Sequence, residues 1–291
     1  MPTDFYRQMK RQLCSSLSER EAEAVVFWLL EDVAGLTRND VLMGRADTLS
    51  ASHKSRLQQM ADRISKGEPV QYVLGYADFD NLRIGVAPGV LIPRPETEDM
   101  VSMCQTFSPS RILDLCTGSG CIALALKNRF PNAVVEGWDI SDKALEIARQ
   151  NALDLGLDVC FRKTNVLDIP FSSERGEEGE VSLLISNPPY ICSNEIAEME
   201  RNVLEHEPAE ALFIPGDDPF LFYRAIAAWG KSLLCDGGHV MVEINRNYAH
   251  EVAELFSNSG YDDVHVWKDR YGNNRVVQAT YKHGTNQKRT D

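Results

Sequence analysis

The sequence predicts a doubly wound α/β sheet domain preceded by a small helical domain. Three observations carry that prediction. Beyond Arg111, short apolar runs alternate with amphipathic stretches in βαβα order. A glycine turn, Thr117-Gly-Ser-Gly120, joins the first of those runs to a helix-forming segment. Before Gly67, by contrast, apolar residues recur at helical spacing.

Composition narrows the function classes. The 291 residues suit one large domain, or a medium domain with a smaller companion. Hydrophobic (43%) and charged (25%) fractions are those of an ordinary globular chain. No apolar stretch approaches the roughly 20 residues that span a bilayer. The first residues, Met1 to Arg7, lack the apolar core of a signal peptide. Seven cysteines, an odd number without C-x-x-C pairing, indicate reduced thiols and a cytoplasmic setting. The six histidines show no metal-ligand spacing, so no metal is expected. A net charge of −13 repels a phosphate backbone, and no basic stripe offsets it, which disfavours nucleic acid as substrate.

The elements follow in order. Residues 1–71 are expected to form the helical bundle. Ser18 with Glu21 makes a capping box, and Ala22, Val25, Val26, Leu29 and Val33 follow at helical spacing until Gly35. Thr37–Gly44 suits one short helix, and Ser52–Ile64 a longer one closed by Gly67 and Pro69. Residues 72–93 read as a β-hairpin linker, with β-prone pieces Tyr72-Val73-Leu74 and Leu82-Arg83-Ile84 broken at Gly75, Asp80-Asn81 and Pro88-Gly89. Leu91-Ile-Pro-Arg-Pro-Glu-Thr-Glu98 then leads, through a dense polar knot of Arg94, Glu96 and Glu98, into the sheet domain at 94–282. There, strands are expected at 111–115, 133–138, 158–163, 181–186, 238–244, 262–267 and 274–281. Helices are expected at 120–129, 142–155, 217–230 and 247–258. Glu174–Glu180 is expected as a loop, and 283–291 as a disordered tail.

Chemistry concentrates after two of these strands. Asn187-Pro-Pro-Tyr190 follows the apolar run Val181–Ser186, a buried parallel strand, and two prolines stop the ladder at its carboxyl end. Ligands of open α/β sheets bind at that edge. Proline lacks an N–H, so Asn187 and the Pro188 carbonyl offer acceptors suited to a substrate –NH2. The glycine turn also satisfies a dinucleotide fingerprint, Gly118-x-Gly120-x-x-Ala123, with Asp139 about 20 residues on. Alone it fits NAD as well as S-adenosylmethionine, since both carry ribose hydroxyls. Two features tip the balance. Asp114, a carboxylate ahead of the glycines, is misplaced beside a pyrophosphate and suits the ammonium group of S-adenosylmethionine. The Asn187–Tyr190 turn suits an amine or amide acceptor that hydride transfer does not need. The alternative role of Asp114 is to brace the loop.

These residues resemble the protein-(glutamine-N5) methyltransferases of the HemK family, which modify class 1 peptide-chain release factors. Gly67-Glu-Pro-Val-Gln-Tyr-Val-Leu-Gly75, Leu91–Glu98, Glu207-Pro208 with Ala211-Leu212, and Gly272-x-x-Arg275-Val-Val carry the resemblance along nearly the whole chain. It implies a Rossmann-like, seven-stranded S-adenosylmethionine-dependent methyltransferase domain after a small N-terminal helical domain. It also implies N5-methylation of the glutamine in a Gly-Gly-Gln loop. By position, Asp114, Cys116, Thr117, Gly118, Ser119, Gly120, Asp139, Asn165, Val166 and Asn187 are expected to hold the cofactor. Asn187, Pro188, Pro189 and Tyr190 are expected to bind the acceptor amide, with Asn187, Pro188 and Tyr190 catalytic and Tyr190 packed on the amide plane. Cys116 departs from a frequent glycine, Asn165 from a frequent aspartate, and Tyr248 from a frequent glutamine.

An acidic rim (Glu195, Glu198, Glu200, Glu205, Glu207, Glu210) is either a solvated helix face or a surface that steers a basic release factor. The chain is expected to act as a monomer. The alternative activity is adenine-N6 DNA methylation, because a flipped base presents the same pair of N–H donors. An inactive cofactor-binding scaffold is a further alternative.

Overall fold

The computed structural model describes residues 4–168, 181–199 and 201–282. The expected loop at Glu174–Glu180, the 283–291 tail, Glu200 and the side chain of Glu198 lie outside the described residues.

Ser18 and Glu21 do form a reciprocal capping box, at the start of the helix Glu19–Ala34, and Gly35 closes it in the left-handed region. Thr37 and Asp40 repeat the device for Arg38–Leu42, and Ser50 caps Ala51–Ser65. With Asp4–Leu13 these helices converge on Leu13, Val26, Leu29, Leu30 and Leu57, all fully buried. Each such side chain contributes roughly 1.5–3 kcal/mol on leaving water. These helices belong to one compact unit, which takes in the first 76 residues and also the helix Arg201–His206.

Tyr72-Val73-Leu74 is not a strand. It lies in the helix Val70–Leu74, between Pro69 and a left-handed Gly75. Proline before the first turn and glycine after the last outweigh the β propensity of the residues between them. The hairpin itself is β1 (Tyr76–Phe79) and β2 (Leu82–Gly85), a separate two-stranded sheet. Asp80 and Asn81 both take positive φ, as a two-residue turn of the I′ type requires.

The second unit holds the sheet. Its strands are β3 (Arg111–Leu115), β4 (Val134–Asp139), β5 (Cys160–Lys163), β6 (Val181–Ser186), β7 (Leu234–Glu243), β8 (Tyr261–Lys268) and β9 (Asn274–Tyr281). They lie in the order β5-β4-β3-β6-β7-β9-β8, parallel as far as β7 and antiparallel beyond it. Alternate side chains serve opposite faces: Ile112, Leu183, Ile185 and Met241 enter one core, and Leu113, Leu115, Leu184 and Val242 the other. The helices Cys121–Arg129, Asp142–Leu155, Leu221–Leu233 and Ala249–Asn258 fall in the stretches the sequence predicts. Leu221–Leu233 begins later than expected because Pro219 intervenes and Asp218 turns its carboxylate onto the Phe220 N–H.

One helix was not foreseen. Pro95–Met103 occupies much of the stretch read as a polar knot, with Pro95 at its first turn and Glu96 and Glu98 close behind. Proline is preset for that position, and acidic residues there meet the positive end of the helix. Among the described residues, no helix is long and apolar enough to cross a membrane. No disulfide joins the cysteines of the described residues.

The chain runs outward from β3 through β4 to β5, then returns to place β6 on the other side of β3. This reversal opens a crevice at the carboxyl ends of β3, β4 and β6. Cys116, Asp139 and Asn187 are thereby brought to one edge of the sheet.

Candidate active site

A cavity of about 440 Å³ opens at that edge, within the size range of small-molecule sites. One wall is the turn after β3. Cys116 takes φ +59, Gly118 +56 and Gly120 +80, which curls the backbone back over the strand. Left-handed φ costs a non-glycine residue roughly 1–2 kcal/mol, so Cys116 carries strain that glycine would not. The turn is tied down from beneath. Thr117 N donates to the Trp138 carbonyl (2.9 Å), and the Thr117 hydroxyl donates to Asp114 Oδ2 (2.5 Å). Asn151, buried in the helix Asp142–Leu155, donates to the Ser119 carbonyl at 2.9 Å.

Asp139 closes the end of β4. Its two oxygens accept N–H groups from Gly118 (2.8 Å) and Ser141 (2.9 Å). Burial raises its pKa, opposed by those amides. Ile140, Ser141, Thr164, Asn165, Val166 and Leu167 continue the wall. Asn165 is partly engaged with its own turn, accepting from Leu167 N at 3.1 Å and donating to Asp168 at 3.1 Å.

Asn187, Pro189 and Thr97 also line the cavity, as do Arg94, Pro208, Glu210 and Phe213. Arg94 donates to Glu207 Oε1 at 2.5 Å, and Ile92 N donates to Glu207 Oε2 at 3.2 Å. The Leu91–Glu98 segment and the Glu207-Pro208 segment are therefore joined by one buried carboxylate. Asn187 Nδ2 lies 3.1 Å from Thr97 Oγ1, which lies 2.7 Å from Glu243 Oε2 at the end of β7.

Several expectations need correction. Asp114 does not face the cavity. It is fully buried behind the turn, and burial lifts its pKa to about 7, against the pull of the Thr117 hydroxyl. Its visible contact is the Thr117 hydroxyl, which braces the turn through Oδ2, while Oδ1 has no hydrogen-bond partner among the described residues. Gly120 also stands behind the wall, where a Cβ would come within 3.0 Å of Phe161. Tyr190 is half-buried, its hydroxyl donating to Glu243 Oε1 at 3.0 Å and its ring packed against the core. Pro188 is buried between Asn187 and Pro189, which line the cavity. Glu207 is 7% exposed and no part of an acidic rim. Glu195 accepts from Cys192 N and Asn245 Nδ2, each at 2.9 Å, and Glu205 pairs with Arg201.

Sequence reasoning missed Thr97, Asn151 and Glu243. The signal for Glu243 was present: an acidic residue ending an apolar strand, Val240-Met-Val-Glu243, placed as Asp139 is on β4.

The residues present fit an adenosyl group. A Cβ at Gly118 would meet no protein atom within 4 Å, so the turn presents bare backbone to open space. Among the described residues, the buried Ser119 hydroxyl in the wall has no hydrogen-bond partner. Asp139 supplies an anionic acceptor at the distance along the chain where ribose hydroxyls are held in adenosyl sites.

Comparison with known proteins supplies the family. Residues 6–75 match the family model described as the PrmC N-terminal domain, and 97–216 match the methyltransferase small domain. The release factor glutamine methyltransferase of Bacteroides thetaiotaomicron is 42% identical over 261 residues, 89% of this chain and 92% of the relative. The chain belongs to the release factor glutamine methyltransferase family. The family's member from Flavobacterium psychrophilum is 33% identical over 286 residues, 96% of this chain and 99% of its own. That from Thermodesulfovibrio yellowstonii is 35% identical over 236 residues, 79% and 82% of the two chains. The matched methyltransferase segment spans Thr97, the glycine turn, Asp139 and Asn187.

Proposed function

We propose that this chain transfers a methyl group from S-adenosylmethionine to the side-chain nitrogen of the Gly-Gly-Gln glutamine in a class 1 peptide-chain release factor. The observation that carries the reading is one cavity lined by the glycine turn, Asp139, Asn187 and Pro189 together. Family membership favours glutamine over adenine as the acceptor.

S-adenosylmethionine supplies, when bound, an electrophilic methyl group on a sulfonium. The backbone of Thr117–Ser119 and the Asp139 carboxylate hold its adenosyl part, and Val166 and Ile140 offer apolar surface to the base. Asn165 serves there less through its amide, which is committed to its own turn. Asn187 Oδ1 accepts one N–H of the substrate amide. The Pro188 carbonyl accepts the other.

An amide nitrogen is a weak nucleophile because its lone pair is delocalised into the carbonyl. Two acceptors fix its orientation, and both bonds strengthen as positive charge develops on nitrogen. Orientation within a complex supplies up to roughly 7–11 kcal/mol in favourable systems. No strong general base is needed, because the methylated nitrogen sheds its extra proton to solvent. The protein works as a monomer in the cytoplasm, where release factors act.

Incubation with S-adenosylmethionine and a purified class 1 release factor, followed by mass spectrometry of the Gly-Gly-Gln peptide, tests the proposal. A methyl group on that glutamine, dependent on both components, supports it. An unmodified peptide alongside methylated adenine in duplex DNA overturns it.

A further inference from the structure

We propose that Thr97 and Glu243 are positioning residues that decide which atom of the Asn187 carboxamide faces the acceptor. The inference rests on the reading of Asn187 given above.

Glu243 is the last residue of β7 and is 1% exposed. Its Oε2 is 2.7 Å from Thr97 Oγ1, and its Oε1 is 3.0 Å from the Tyr190 hydroxyl. Burial pushes the Glu243 carboxyl up, against the Thr97 and Tyr190 hydroxyls and the positive charge of Arg275, whose guanidinium Asp269 holds at 3.2 Å. Both hydroxyls donate to Glu243, Thr97 Oγ1 to Oε2 and the Tyr190 hydroxyl to Oε1. Thr97, its proton committed, has only lone pairs to offer Asn187. The carboxamide must therefore turn its –NH2 toward Thr97, 3.1 Å away. Oδ1 is the atom left for a guest, as an acceptor of substrate N–H requires.

The reverse orientation would set Asn187 Oδ1 against Thr97 Oγ1 with no proton between them, two facing acceptors in a part-buried place. It would also present –NH2 to the substrate –NH2, donor to donor. The polarity of the site is thus written from Glu243 through Thr97 into Asn187. Three separate elements meet to do this: the first turn of the helix Pro95–Met103, the turn after β6 and the end of β7.

The test compares the parent with Thr97→Val, Thr97→Ser, Asn187→Ala and the Thr97→Val/Asn187→Ala double variant. The readouts are kcat and KM for a class 1 release factor, and the S-adenosylmethionine Kd by calorimetry. Valine keeps the shape of threonine and removes the hydroxyl. Thr97→Val should lower kcat on the order of tenfold to a hundredfold, as a misoriented group does, with KM and Kd near the parent values. Thr97→Ser should restore most of the lost turnover. The double variant should be no slower than Asn187→Ala, because no carboxamide remains to orient. A Thr97→Val enzyme with parental kcat overturns the inference, and so do losses that multiply in the double variant.

Glu243→Gln gives a second line should Thr97→Val fold poorly. It keeps the packing while placing an N–H among the two hydroxyls, so turnover should fall, and parental kcat in this variant overturns the inference. A parent that methylates no glutamine overturns the reading of the site and this inference with it. An active parent indifferent to Thr97→Val overturns this inference alone.

Discussion

Replacing Asp114 by asparagine removes a buried titratable group while leaving an oxygen to accept the Thr117 hydroxyl. Burial lifts the Asp114 carboxyl to about 7, against 3.8 for a solvated aspartate. Between those values the folded protein keeps a proton that the unfolded chain has lost. The stability contributed by this group is therefore complete below pH 3.8 and is lost as the pH rises through about 7. From roughly pH 5.5 to pH 7.5 the linkage relation converts that difference into a loss of about 2 kcal/mol. Asp139 and Glu243 are also raised by burial, but they remain in the variant and cancel in the comparison. Urea unfolding followed by tryptophan fluorescence suits the measurement, since Trp138 and Trp229 sit edge to face at 5.1 Å inside the sheet domain. The parent should lose about 2 kcal/mol more than Asp114→Asn across that pH interval. Parallel curves for the two proteins would refute the claim that a buried, largely neutral carboxyl supports the glycine turn.

Asn187→Ala should leave the S-adenosylmethionine Kd within a few-fold by calorimetry and lower kcat by roughly 10²–10³, the usual cost of losing one transition-state hydrogen bond. Asp139→Ala should do the reverse, weakening cofactor binding by about tenfold to a hundredfold through the lost charge-assisted bonds; an unchanged Kd would remove Asp139 from the cofactor site. Gly120→Ala combines a φ of +80 with a Cβ only 3.0 Å from Phe161, so it should destabilise the fold by at least about 1–2 kcal/mol in denaturant titrations.

The sheet was legible because its strands are near-continuous apolar runs and its helices are amphipathic, two periods that local residues alone determine. The turn after β3 was legible for a related reason: only glycine and strain deliver three left-handed residues within five positions. What escaped depended on contacts across the chain. Tyr72–Leu74 has β-forming residues, yet the punctuation at Pro69 and Gly75 decides for helix. Asp114 and Asp139 look alike in sequence, as acidic residues near strand ends. In the structure one lies behind the turn and the other in the cavity wall: Asp114 pairs with Gly137, two positions short of Asp139. Thr97 was hidden among Arg94, Glu96 and Glu98, whose charges drew attention while the neutral hydroxyl reaches Glu243, 146 residues away in sequence.

The grip of Glu207 on Ile92 and Arg94 has a consequence for how such a chain can drift. Two stretches that border the opening share one latch, so neither can be remodelled alone: a new residue at 207 strands the guanidinium, and a new residue at 94 strands the carboxylate. Variation at these two positions should therefore travel in pairs, and the gateway's width should pass down a lineage as a joint inheritance rather than as two independent traits.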